Sequence, residues 1–321
     1  MKISGFTMGR NALKLYYPMR QSIESILPLV DEFIVALGQS EEDDRTREEI
    51  EAIGSPKISI IDTVWDIEKY PRGMEHAHQT DLAMKECTGD WLFYLQSDEV
   101  VHEKDLETIR ERCMELLDDS EVEGLLFRYL HFWGDYEHIQ DSHCWYRKEI
   151  RIIRNRPDIH SWESAQSFRR IPGFGGLNYR QQEGTFKLKV AEVDAEIYHY
   201  GWVRPPSVMQ QKIKAFSINH RGVKRVEEQV AANHFDRVFD YGNLSGLTRF
   251  RGTHPAVMSP WIARFNWKDQ LRYTGPSRSL NPIRSKHDKP KYRVISWVEK
   301  NLLGGTRLGE FRNYILVRKS R

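Results

Sequence analysis

The run EFIVALG, residues 32 to 38, is apolar at almost every position. A strand with one wet face alternates apolar and polar residues, so a uniform run of this kind is covered on both faces, as in a parallel sheet sheathed by helices. WLFYLQ, residues 91 to 96, repeats the pattern. KISGFTM (2 to 8) and KISIIDTVW (57 to 65) read as two further strands. Between them Pro18 opens a helix whose Ile23, Ile26, Leu27 and Val30 recur at spacings of three and four, a short helix closes near Gly54, and another ends near Gly89. Strand and helix in strict alternation predict an α/β fold with a Rossmann-like, mainly parallel, doubly wound sheet flanked by helices. Ligands of such sheets sit outside the carboxyl ends of the strands.

The fourth strand ends in Ser97-Asp98-Glu99, two adjacent carboxylates at such an end. They read either as ligand-binding groups or as a capped turn into a helix over 103 to 117, whose apolar face is Leu106, Ile109, Cys113, Leu116 and Leu117. Net charge is only +2, yet residues 272–321 carry 13 Lys+Arg against 3 Asp+Glu. An acidic body with a basic tail excludes a nucleic-acid binder that uses the body. A G-x-G-x-x-G turn after the first strand and a P-loop are both missing, which excludes those dinucleotide and nucleotide sites. Cys87, Cys113 and Cys144 are odd in number and lack metal spacing, as expected of a reducing, cytoplasmic setting. The start MKISGFTMGRN has no apolar leader, and no window reaches the length of a spanning helix, so neither export nor membrane spanning is expected.

Five segments, ISGFTMGRN, SILPLVDEFIVALGQSEEDDRT, QTDLAMKECTGDWLFYLQSDEVVHE, IRIIRNRPDIHSW and IYHYGWVRPPSVMQQK, together resemble a bacterial family 2 glycosyltransferase of the GT-A fold, in order and spacing over roughly residues 1 to 215. The resemblance implies a catalytic domain over 1–215 and a C-terminal helical or irregular extension with a basic tail over 216–321. TGDWLFYLQSDE is similar to the family's TGDWVLFLDADE, whose strand-end acids hold a divalent cation against the diphosphate of a nucleotide sugar. Asp98 keeps the metal-facing position and Glu99 follows it, while Gln96 stands where the first Asp would be. His199 in HYGW matches the residue that closes the metal site, the other reading being a hydrogen-bonded core histidine, and Arg204 reads either as a bidentate partner of the diphosphate or as a surface arginine beside two prolines. Thr7, Arg10 and Asn11 after strand one, Ser40 and Glu41 after strand two, and Asp81 on the helix HQTDLAMK fall at donor-binding positions, as does Gln96.

The implied activity is transfer of a sugar from a nucleotide-sugar donor to the hydroxyl of a glycan or lipid-linked acceptor, with inversion, in cell-surface glycan or polysaccharide synthesis. Mg²⁺ or Mn²⁺ would act as the Lewis acid. An inverting transfer needs a base, for which Glu163 in IHSWESAQ is the nearest carboxylate, with Asp141 and Glu149 next. Trp133, Trp145 and Trp162 either stack on sugar rings or fill a core. Gln96 favours the alternative, a non-catalytic GT-A domain serving as a binding or scaffold subunit. Late in the chain, Val294, Trp297, Val298 and Leu302 share one helical face that stops at Gly304 and Gly305. Lys286, Lys289, Lys291, Arg293 and Lys300 flank it, and Arg318, Lys319 and Arg321 follow. This basic amphipathic tail is expected either to make peripheral contact with the inner face of a membrane or to pack Trp297 against the body.

Overall fold

A computed structural model describes residues 1–231, 238–275, 289–303, 307–309 and 312–319. The elements run β1 (Ile3–Gly9), α1 (Met19–Ile26), β2 (Glu32–Gly38), α2 (Thr46–Glu51), β3 (Ile58–Thr63), α3 (Met74–Lys85), β4 (Trp91–Tyr94), β5 (Glu99–Val101) and α4 (Leu106–Glu115). They continue with β6 (Gly124–Trp133), β7 (His138–Ile139), β8 (Lys148–Arg154), β9 (Ile159–Trp162), β10 (Ser167–Arg170), β11 (Phe186–Trp202), α5 (Pro206–Arg221), α6 (Val223–Ala231), β12 (Thr248–Arg249), α7 (Ser259–Ile262), α8 (Pro290–Asn301) and β13 (Tyr314–Arg318).

The sheet order is β3-β2-β1-β4-β8-β6-β11-β10-β9. Pairing is parallel from β3 through β4. It becomes mixed beyond, where β8 runs antiparallel to both β4 and β6. The expected α/β class, with its sheet flanked by helices, is borne out. Uniform apolarity of β2 and β4 is explained by alternation of side chains across the sheet. Phe33, Val35, Trp91 and Phe93 enter a core with Ile23, Ile26, Ile50, Ile109 and Cys113 of α1, α2 and α4. Ile34, Ala36, Leu92 and Tyr94 enter the opposite core with Ala83 and Met84 of α3. Each such large side chain, fully covered, contributes roughly 1.5–3 kcal/mol.

β11 is the backbone of the second half. Along its length it pairs with β10, β13, β6 and β5 in turn. β13 therefore lies in the central sheet, parallel to β11, an element not anticipated from the basic composition of the tail. A third, aromatic core joins β6 and β11 to the segment 241–271, with Phe132, Tyr198, Tyr200, Tyr241, Trp261 and Trp267 at its centre. Trp133 belongs to its rim, stacked on Trp202 at 4.9 Å, which settles the core role for that tryptophan. Gly304, Gly305, Lys286 and Arg321 lie outside the described residues. Among the described residues, no helix is long and apolar enough to cross a membrane.

Candidate active site

The carboxylates at the end of β4 part company. Glu99, at the start of β5, is completely buried, and Arg151 of β8 grips it with Nε to Oε2 and Nη2 to Oε1 both at 2.7 Å. Tyr129 Oη donates to Oε1 at 2.8 Å and the Gln96 backbone N–H to Oε2 at 3.1 Å. Burial works against the Arg151 charge, but Glu99 outweighs it and raises the guanidinium pKa well above its ordinary value. With both oxygens occupied, Glu99 is a structural anchor.

Asp98 points elsewhere. β5 pairs antiparallel with β11 so that His199 stands opposite Glu99, and the Tyr200 amide donates to the Asp98 carbonyl at 2.8 Å. This register brings together side chains a hundred residues apart. His199 Nε2 lies 3.8 Å from Asp98 Oδ2, and Lys212 Nζ of α5 lies 3.4 Å from the same oxygen while donating to the Gly201 carbonyl at 2.7 Å. Burial pushes the Asp98 carboxyl up, but Lys212, then His199 and Arg204, outweigh it and hold the pKa below its ordinary value. Burial and the Arg204 guanidinium pull Lys212 down to about 7.

Proton positions on the histidines follow from their partners. His131 Nε2 is 2.7 Å from the Tyr146 carbonyl, which can only accept, so that nitrogen carries hydrogen. In a neutral ring His131 Nδ1 is then an acceptor, and His199 Nδ1, 2.9 Å away, donates to it. His199 Nε2 is left with a bare lone pair facing the Asp98 carboxylate. Because residue 201 is glycine, its own position sets no side chain against these two acceptors. A Cβ there would stand 2.5 Å from His199 Nε2 and 2.6 Å from Asp98 Oδ2. Two lone-pair donors around such a gap fit a divalent cation, whose metal–oxygen and metal–nitrogen distances are about 2.0–2.6 Å. Among the described residues no group of three His, Cys, Asp or Glu is arranged to hold a metal. A cation here would rest on two protein ligands, and Mg²⁺ commonly takes its remaining ligands from phosphate and water.

The two histidines make a pH prediction. Burial is the main force pulling His131 to about 3 and His199 to about 4, against 6.5 in an unfolded chain. Unfolded chain thus binds protons first, so the stability that the neutral rings confer is complete above pH 6.5 and lost as pH falls toward 4. Urea unfolding in chelator should show a loss of about 3 kcal/mol between pH 7.5 and 5.5, about half of it removed by His131→Gln.

Arg204 lies beneath this cluster, fully buried, with Nη1 donating to the Leu15 carbonyl at 2.6 Å and the guanidinium 4.4 Å from the Tyr17 ring. Its Nε and Nη2 find no acceptor among the described residues. The loops after β1 and β2 are clasped together: the Asn11 amide donates to Ser40 Oγ at 3.0 Å, Asn11 Nδ2 to Glu41 Oε1 at 3.0 Å, and the Glu41 amide to Asn11 Oδ1 at 2.7 Å. Arg10 joins by donating to the Gln39 carbonyl at 2.9 Å. Arg10, Asn11, Ser40 and Glu41 are therefore neighbours at one sheet edge. The structure gives Thr7 and Asp81 internal partners: Thr7 Oγ1 donates to the Leu95 carbonyl at 2.5 Å, and Asp81 accepts from the Ser161 amide and contacts His160 Nδ1, both at 2.8 Å. Both side chains are buried.

Gln96 connects the strand end to a second feature. Its Nε2 donates to the Ala165 carbonyl at 2.8 Å, and Arg151 Nη1 donates to the Gln166 carbonyl at 3.1 Å. They pin a turn in which Glu163 and Ala165 hold left-handed backbone, φ 58° and 60°, a strained state for residues with side chains. Glu163 lines a cleft of about 490 Å³ with Trp145, Tyr146, Glu149, Trp162 and Tyr292. Tyr146 packs against His131 with ring centres 4.6 Å apart, which links the cleft to the histidine pair. Burial raises the Glu149 pKa against the pull of Arg151. Asp141 is used differently, accepting from Thr248 Oγ1 at 2.8 Å outside the cleft lining.

Lys212, His131, Arg151 and Gly201 were not singled out from sequence. Arg151 and His131 had a signal, a polar residue inside an otherwise apolar strand. Lys212 and Gly201 had none beyond lying in a segment that carried the family likeness.

No protein-family model and no curated protein matches this chain. Among solved structures it is similar to glucosyl-3-phosphoglycerate synthase from Mycobacterium tuberculosis in complex with Mn²⁺, uridine diphosphate and phosphoglyceric acid, at 19% identity over 40% of this chain and 43% of that one, TM-score 0.28. It is also similar to residues 1–349 of S. aureus TarS, at 14% identity over 68% of this chain and 65% of that one, TM-score 0.36. The chain spans less than half of the synthase. At these scores the functional reading rests on the chain's own residues.

Proposed function

We propose that this chain is a glycosyltransferase of the family 2, GT-A kind, moving a sugar from a nucleoside-diphosphate donor to a hydroxyl of a carbohydrate acceptor with inversion. The observation that carries it is the gap over Gly201 between Asp98 Oδ2 and His199 Nε2, with Lys212 and Arg204 beside it at the ligand-binding edge of the sheet. Asp98 and His199 would hold Mg²⁺ or Mn²⁺, which when bound supplies Lewis-acid stabilisation of the departing diphosphate. Arg204 adds fixed positive charge where the leaving group gains negative charge, and Lys212 adds it in its protonated form. Arg10, Asn11, Ser40 and Glu41 form the wall for the nucleoside, and Trp145 and Trp162 line the cleft that would take the acceptor. As the acceptor oxygen bonds to the anomeric carbon, the carbon–oxygen bond to the diphosphate breaks with its electron pair leaving on phosphate. The acceptor proton passes to Glu163, with Glu149 the nearest alternative carboxylate in the cleft. The free cysteines and this chemistry agree with a cytoplasmic location.

One observation favours a second reading, a non-catalytic binding subunit: the Gln96 side-chain amide is committed to Ala165 and stands where the family has the first Asp of its acidic motif. Donor hydrolysis by purified protein, assayed with UDP, GDP, CDP and dTDP sugars with and without Mn²⁺, separates the two. Hydrolysis of one donor is expected, and its absence for every donor that binds would establish the second reading. Glu163→Gln should lower transfer by roughly 10²–10⁴-fold while leaving donor affinity unchanged. Transfer at the parent rate would pass the role to Glu149.

A further inference from the structure

We propose that α8 carries a docking face for an anionic lipid bilayer, and that the acceptor reaches the cleft on a lipid. The helix is inside out. Its buried side is polar: Glu299, 1% exposed, takes Arg307 Nη1 at 2.6 Å, the Leu308 amide at 2.8 Å and His143 Nδ1 at 2.7 Å, and Ser296 Oγ accepts from the His143 amide at 2.8 Å. Its outer side shows Val294, Trp297 and Leu302, exposed by 62%, 58% and 66%. An ordinary amphipathic helix of a soluble domain does the reverse. The expectation that Trp297 packs against the body is not met.

Charge selects the occupant. Lys289, Lys291 and Arg293 are exposed around the apolar residues, as is Lys300, which donates to Thr248 Oγ1 at 2.8 Å and lies 3.8 Å from Asp141 Oδ2. The one acidic residue of the helix, Glu299, is consumed on the inner side by Arg307. Among the described residues the outer face is thus apolar with predominantly positive flanks, which matches a helix lying in a lipid interface above anionic headgroups. A tryptophan suits that boundary, with an apolar ring and an N–H that stays hydrated.

The same helix borders the cleft. Tyr292 of α8 lines it together with Arg307, the residue that clamps Glu299. A bilayer on the outer face of α8 would therefore lie one helix away from the acceptor cleft. This second half of the inference rests on the glycosyltransferase reading, whereas docking itself does not.

Full-length protein is to be sedimented with vesicles of phosphatidylcholine alone or mixed with phosphatidylglycerol, at low and high salt. Trp297→Ser/Leu302→Ser and Lys291→Glu/Arg293→Glu serve as variants, all at exposed positions that leave the Glu299 clamp intact. Binding to the mixed vesicles is expected to exceed binding to the neutral ones, to weaken with salt, and to fall by roughly tenfold or more in each variant. Equal binding to both vesicles, indifference to either variant, pelleting without lipid, or saturable capture of an acidic protein with no vesicle binding would each overturn the proposal. Donor hydrolysis without vesicles should be unchanged in both variants. Its absence from the parent would defeat the glycosyltransferase reading and leave the vesicle result standing on its own.

Discussion

Asp98→Asn should lower sugar transfer and donor hydrolysis by about a hundredfold to a thousandfold while the protein stays folded. The substitution keeps the shape of the side chain and removes the carboxylate that faces His199 and Lys212. Losses of that size accompany removal of a single preorganised group that stabilises charge in a transition state. The fold survives because Lys212 is not stranded: it still donates to the Gly201 carbonyl, and with a pKa near 7 it can shed its proton. Gly201→Ala is the companion variant. Its methyl group would occupy the gap at 2.5 Å from His199 Nε2 and 2.6 Å from Asp98 Oδ2, leaving both candidate ligands in the protein and no room between them. Calorimetric unfolding should confirm that both variants are native. Transfer at the parent rate by Asp98→Asn would remove this residue from the mechanism.

Arg151→Met should cost about 3–5 kcal/mol, because it leaves the fully buried Glu99 carboxylate without its counter-charge. The midpoint of thermal unfolding should fall by on the order of 10 °C. Replacing both partners, Glu99→Leu with Arg151→Met, should recover much of the loss, since neither charge is then buried unpaired. If the single variant unfolds within a degree or two of the parent, Glu99 is not the anchor described above. Because Arg151 and Gln96 together fix the strained turn at Glu163, the double variant is expected to be stable yet slow in transfer.

How much of this was legible in the sequence varied with the range of the interaction. The strands β1 to β4 and the helices between them are local patterns, and their boundaries agree with those read from EFIVALG, WLFYLQ and their neighbours. Asp98 stood out by its place at the carboxyl end of a buried strand, where a capped turn was the other reading. The opposite fate of Glu99 was not legible, since it depends on Arg151, which arrives from a strand 52 residues later. His199 was reached only through the family likeness; the register that sets it opposite Glu99 is a long-range property of β11. Lys212 was invisible for a different reason, being one cation among several on α5, distinguished only by what the fold puts next to it. Thr7 and Asp81 show the converse: both occupy positions the likeness marks for the donor, and both spend their polar atoms inside the fold. In the tail, the apolar face of α8 was correctly read from spacing, but its outward direction follows from Glu299 being clamped by Arg307 and His143.

The central claim is that a cation and a nucleoside diphosphate sugar bind together over Gly201. Isothermal titration of the parent with UDP, GDP, CDP and dTDP sugars, with and without Mn²⁺, tests it most directly when repeated on Gly201→Ala. One donor should bind, Mn²⁺ should tighten it, and the tightening should vanish in Gly201→Ala. No binding of any donor to the parent, binding indifferent to Mn²⁺, or full Mn²⁺ enhancement in Gly201→Ala would contradict the account.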